Sequence, residues 1–110
     1  MRELVFKILR KDEWPLAAEV FEGSADDRRD GFIHLSTGAQ VAGTLKAHFR
    51  GENDLLLLEI DAASLGPALK WEPSRGGALF PHLYGALPLS AVRSVTAINS
   101  GGAFADTLGA

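Results

Sequence analysis

Short apolar runs alternate along the chain with polar breaks marked by glycine, and the runs differ in their period. Residues 3–10 are rich in Leu, Val, Ile and Phe and predict a first strand. Asp12 then stands as an N-cap before EWPLAAEVF, residues 13–21, with Pro15 in a first turn where no amide partner is needed. That segment predicts a helix fading at Glu22-Gly23. GSADDRRDG, residues 23–31, is almost wholly polar and bounded by glycines, and predicts a loop. In it Arg28 and Arg29 are expected to pair in solvent with Asp26, Asp27 and Asp30.

FIHLS, residues 32–36, predicts a short second strand. Thr37 and Gln40 hold capping-box spacing, and Val41, Leu45 and Phe49 follow at i, i+4 and i+8. A helix with one apolar face should therefore begin at Thr37 and end at Gly51. LLLLEI, residues 55–60, is apolar at both alternating sets of positions and reads as a central strand covered on both sides, with Glu59 the one carboxylate needing a partner. LKWEP (Leu69–Pro73), FPHLY (residues 80–84) and VRSVTAI (Val92–Ile98) are further strands, the first two joined by the glycine-rich SRGGAL. Residues 99–110 read as a flexible tail after a single domain over 1–98.

Helices early and strands late predict an α+β fold: a small mixed, largely antiparallel sheet carrying two helices. Neither G-x-G-x-x-G nor the P-loop pattern occurs, so a doubly wound nucleotide fold is not expected.

Composition narrows the chemistry. The chain has 110 residues, 46% of them hydrophobic, which suits one domain burying roughly two-thirds of its extended surface. With 11 basic against 14 acidic residues, it lacks the positive excess that neutralises a nucleic-acid backbone, so an extended nucleic-acid partner is not expected. The absence of cysteine excludes disulfides, thiol nucleophiles and thiolate metal sites. No apolar run approaches the ~20 residues that cross a bilayer, and Lys7 interrupts the N-terminal run. A cytoplasmic protein without a membrane partner is the expectation.

The candidate chemistry centres on a near-echo. FIHLS and FPHLY are each Phe-x-His-Leu followed by a hydroxyl residue. Strand alternation sets Phe32, His34 and Ser36 on one face, and Phe80, His82 and Tyr84 on one face of the other strand, so neighbouring strands would bring His34 and His82 together. Each histidine also has a plainer reading, as a half-buried ring bonded to backbone. His48 reads as a cation at a helix C-terminus. Ser36 and Thr37 open a helix, where they serve as caps or as part of an anion site. Arg75-Gly76-Gly77 is either a plain hairpin connection or a guanidinium on a loop that lets a phosphate approach. Glu72 is a candidate general base, with Trp71 beside it. A Ser-His-Asp hydrolase finds no G-x-S-x-G elbow, and a metal site built on His34, His82 and Glu72 has no supporting ligand spacing.

DGFIHLS, LKWEP and GGALFPHLYGALPL, with the STxxQV helix start, resemble the bacterial and plant family called domain of unknown function 952. The likeness runs from the first strand to Ile98, and its motif residues fall on Gly31, Phe32, His34, Ser36, Trp71, Glu72, Phe80, His82, Tyr84 and Gly85. The resemblance implies an ADP-ribosyltransferase-like fold, a small mixed sheet split around a site for a nicotinamide dinucleotide, which makes NAD the candidate cofactor. Two departures stand out. Lys7 occupies a position where relatives often carry His, and Leu35 one where they often carry Cys. The family brings no established activity of its own, and the residue reading that it fits makes His34, Glu72 and His82 the candidate catalytic residues. Lys7, Ser36, Thr37, Trp71, Arg75 and Tyr84 would bind a nucleotide-like or phosphorylated small molecule, for ADP-ribosyl or phosphate transfer. A non-catalytic binding module and a metal-dependent hydrolase using both histidines are the alternatives.

Overall fold

The computed structural model describes residues 3–14 and 18–99, and of Arg75 only the backbone. The long apolar runs become the strands of one three-stranded sheet, β1 (Leu4–Arg10), β4 (Leu55–Asp61) and β8 (Val92–Ile98), in the order β1-β4-β8. β4 lies in the middle, which explains its continuous apolar character. Leu55 and Leu57 pack on one face with Val41 and Leu45 of α2 (Val41–His48), while Leu58 and Ile60 join the larger core on the other. Glu59 is half-buried in β4, opposite Phe6 and Ser94 and beside a register shift at Glu59/Ile60.

A second three-stranded sheet has the order β3-β6-β5, from β3 (Ile33–His34), β5 (Leu69–Pro73) and β6 (Leu79–Leu83). β2 (Val20–Phe21) and β7 (Leu87–Pro88) form a two-stranded ladder that buries Phe21 and Leu87. Every pairing among the described residues is antiparallel, so the mixed sheet expected from the sequence resolves into three antiparallel sheets. The α+β class stands. One bridge ties the larger sheets together: Phe6 and Ser36 exchange backbone hydrogen bonds of 2.7 and 2.8 Å.

Two segments differ from expectation. Over residues 13–21 a helix was expected, and residues 15–17 lie outside the described residues. On the described flanks, Lys11–Glu13 form a 3₁₀ turn closed by the Glu13 carboxylate on the Arg10 amide, and Val20–Phe21 are strand. A β-branched and an aromatic residue facing a ladder partner override the weak helical pattern there.

Over residues 23–31 a loop was expected, and the chain forms α1 (Ala25–Asp30). Ser24 and Asp27 cap each other reciprocally: the Asp27 amide donates to Ser24 Oγ at 3.4 Å and the Ser24 amide donates to Asp27 Oδ2 at 2.9 Å. Acidic Asp26 and Asp27 sit in the first turn, basic Arg28 and Arg29 in the last, and Gly31 ends the helix at φ 87°. Capping builds this helix without an apolar stripe. The helix expected from Thr37 does form, as a 3₁₀ turn (Gly38–Gln40) running into α2. The tail expected over 99–110 lies, from residue 100 onward, outside the described residues.

Candidate functional site

A cavity of about 300 Å³ opens where the free edge of β1 meets β3, β6, α1 and α2. β3 and β6 pair so that His34 lies directly opposite His82, with ring centroids 6.0 Å apart. Phe32 stacks on His82 at 4.1 Å and also contacts His34 and Tyr84, at 4.6 and 5.3 Å. The near-echo in the sequence is therefore one aromatic and imidazole cluster.

The two histidines are held differently. His82 is buried and its Nδ1 lies 2.8 Å from Glu72 Oε1. Tyr84 donates its hydroxyl to the same oxygen at 2.7 Å. A carboxylate at Nδ1 fixes that nitrogen as the N–H donor and leaves Nε2 as the acceptor. Among the described residues no protein group bonds Nε2, and His82 lines the cavity. The hydrogen bonds from His82 and then from Tyr84 hold the Glu72 carboxyl below its ordinary range, while Glu72 raises the Tyr84 phenol.

His34 has a carboxylate at each nitrogen. Nδ1 lies 2.6 Å from Asp27 Oδ1 and Nε2 lies 2.9 Å from Asp30 Oδ2. Asp27 is the hub of this side. Only 2% exposed, it accepts the His34 amide at 3.0 Å and both its oxygens meet Lys7 Nζ, at 3.0 and 2.9 Å. Burial pushes the Asp27 carboxyl up, but the His34 hydrogen bonds and the Lys7 charge outweigh it and hold the group well below the usual carboxylate range. Gly23 makes room for it. A Cβ at Gly23 would lie 2.9 Å from Asp27 Cβ, and its φ of 112° is one that side chains rarely adopt.

Lys7, His34, Ser36 and His82 thus line one cavity. Ser36 is buried, with Oγ 2.9 Å from Thr44 Oγ1, and its amide is taken by Phe6. Glu72 and Tyr84 are attached behind His82 and are not part of the lining. Thr37 is occupied as a cap: its amide donates to Gln40 Oε1, and Gln40 Nε2 donates to Leu79 O. Trp71 lies opposite Pro81, one position out of phase with the Lys70–His82 pair, hence on the other face of the ladder and 38% exposed. The backbone of Arg75 lies in the 3₁₀ turn between β5 and β6, and its guanidinium is outside what the structure describes.

Sequence reasoning missed Asp27, read as a solvated loop acid, although the Ser24-x-x-Asp27 spacing signals a cap that draws its side chain inward. Thr44 and His48 were also missed as lining residues; they stand one turn apart on α2 with no local motif to mark them.

The family model described as protein of unknown function (DUF952) matches residues 8–95. The chain belongs to this family. This DUF952 chain is similar to protein CC0527 from Caulobacter crescentus. The crystal structure of that protein is 51% identical with a TM-score of 0.81, over 86% of this chain and 84% of that one. Its solution NMR structure gives 48% identity and a TM-score of 0.75, over 90% and 89% of the two chains. No curated protein matches. Among the described residues of this DUF952 chain no helix is long and apolar enough to cross a membrane, and no group of three or more His, Cys, Asp or Glu side chains is arranged to hold a metal ion.

Proposed function

We propose that this domain binds a nucleotide-like small molecule in the cavity beside β1 and acts on it by proton transfer through His82. The observation that carries the reading is the Glu72–His82 pair, an imidazole oriented by a carboxylate at Nδ1 whose Nε2, on a lining residue, is bonded by no described residue. In that arrangement Nε2 takes a proton from a ligand hydroxyl or an attacking water, and Glu72 offsets the charge that forms on the ring. Phe32, stacked on the imidazole, keeps its plane fixed. The cavity, at about 300 Å³, lies at the small end of ligand sites and suits one nucleoside unit better than a whole dinucleotide.

The family resemblance suggests ADP-ribosyl transfer, with NAD as donor and Glu72 as the carboxylate facing the ribose. The contacts of Glu72 favour the other assignment, since its Oε1 serves His82 and Tyr84 and the residue stands outside the lining. The metal-dependent alternative is weakened because both nitrogens of His34 already face carboxylates, which leaves that ring no nitrogen for a metal.

Thermal-shift screening against NAD, ADP-ribose, nucleosides and nucleotides tests the reading. A ligand at 100 times its dissociation constant raises stability by about 2.7 kcal/mol, a clear shift. The His82→Gln variant should still bind while leaving the ligand unaltered on long incubation. Absence of any shift, or full turnover by His82→Gln, overturns the proposal.

A further inference from the structure

Among the described residues, each lysine and arginine side chain that lines the cavity is paired with a carboxylate. Lys7 gives its ammonium to both Asp27 oxygens, and this pair is buried to 5% and 1% exposure. Arg10 makes two 2.7 Å bonds to Glu52. Arg29 reaches Asp30 at 2.9 and 3.2 Å and Asp26 at 3.3 Å. His34 lies between Asp27 and Asp30. A phosphate entering among these groups would have to displace a carboxylate from each cation it met, and at Lys7 would do so inside the protein. Among the described residues, the lining groups without a carboxylate partner are of another kind: His82 Nε2, the ring of His48 in the last turn of α2, the spare hydroxyl proton of the Ser36–Thr44 pair, and the apolar surfaces of Ile8 and Leu35.

From this we infer that the cavity takes the uncharged part of its ligand, a nucleoside with ribose hydroxyls on the Ser36–Thr44 pair and on His82, and leaves any phosphate outside. The inference rests on the proposed function and adds a direction to it. Binding energy comes from ring burial and hydroxyl bonding, so it is insensitive to salt, whereas a phosphate cradle weakens as ionic strength rises.

Calorimetric titration of the full chain with the four common nucleosides and their 5′-monophosphates, at low and high salt, tests it. At least one nucleoside should bind within about threefold of its own monophosphate, with an affinity nearly unchanged by salt. A monophosphate binding about tenfold or more tightly than its nucleoside, and losing that advantage in salt, overturns the inference while leaving the proposed function standing. Failure of every nucleoside and nucleotide to bind overturns both. Thr44→Val keeps the shape of the helix residue and removes its hydroxyl. With its melting temperature confirmed near the parent's, it should weaken the nucleoside about tenfold, and unchanged affinity overturns the ribose placement.

Discussion

His34 and His82 stand opposite each other in one ladder, in nearly the same sequence context, under the same phenylalanine. His34 is bound at both nitrogens by Asp27 and Asp30 of α1 and helps fasten that helix to the sheet. His82 is bound at one nitrogen by Glu72 from the neighbouring strand, and the other is left over. The difference lies in what flanks each strand. A short helix rich in Asp precedes β3, whereas His82 of β6 meets the Glu72 carboxylate of β5. A motif repeated in sequence thus yields one structural imidazole and one chemically available imidazole, and the partners decide which is which.

The largest expected effect strikes the His34 side. Asp27→Asn leaves the Lys7 ammonium buried without its counter-charge and should destabilise the fold by about 3–5 kcal/mol in urea denaturation, with Lys7→Met plus Asp27→Asn, which removes both charges and keeps an acceptor oxygen, recovering much of the loss. If Asp27→Asn proved nearly neutral, the two histidines would not differ in structural weight as argued. Next is acid. The folded carboxyl of Asp27 is depressed, so its stabilisation is complete above the unfolded value of about 3.9 and is lost as pH falls below it toward the folded value. Stability measured against pH should fall below about pH 4 in the parent and fall less steeply in Asp27→Asn. Gly23→Ala combines a positive φ with a 2.9 Å approach to Asp27 and should cost about 1–3 kcal/mol on the same denaturation assay.

The smallest effects on stability belong to the His82 side. Glu72 and Tyr84 lie toward solvent, so Glu72→Gln and Tyr84→Phe should leave the thermal midpoint near the parent's. Their signature is spectroscopic. In ¹⁵N-detected spectra of the imidazole, the parent should show His82 protonated at Nδ1, and Glu72→Gln should mix the tautomers while Tyr84→Phe preserves the Nδ1–H form. A tautomer indifferent to Glu72→Gln would remove the orienting role given to that carboxylate.

The same contrast marks where the sequence was legible. Short apolar runs place β1, β4, β5, β6 and β8, and the hydroxyl and amide spacing of Thr37 and Gln40 finds the start of the second helix. The convergence of His34 with His82 follows from alternation once the strands are neighbours. α1 was hidden because hydrophobic periodicity is the usual helix signal and this helix has none; its only buried residue is Asp27. A run of mixed charges reads as solvated because isolated pairs usually are, and nothing local reveals that Lys7, twenty positions away, waits to cover one of them. β2 and β7 contribute two residues each, too few to carry a period.

The Phe6–Ser36 bridge has a bearing on association. β1 is an edge strand, and an open edge is where another chain would add itself to the sheet. By occupying the outward-facing Phe6 amide and carbonyl with Ser36, the bridge breaks the row of free backbone groups midway along β1. The border that gives the molecule its cavity is thereby made a poor template for strand addition, and the same two hydrogen bonds guard against self-assembly at that edge.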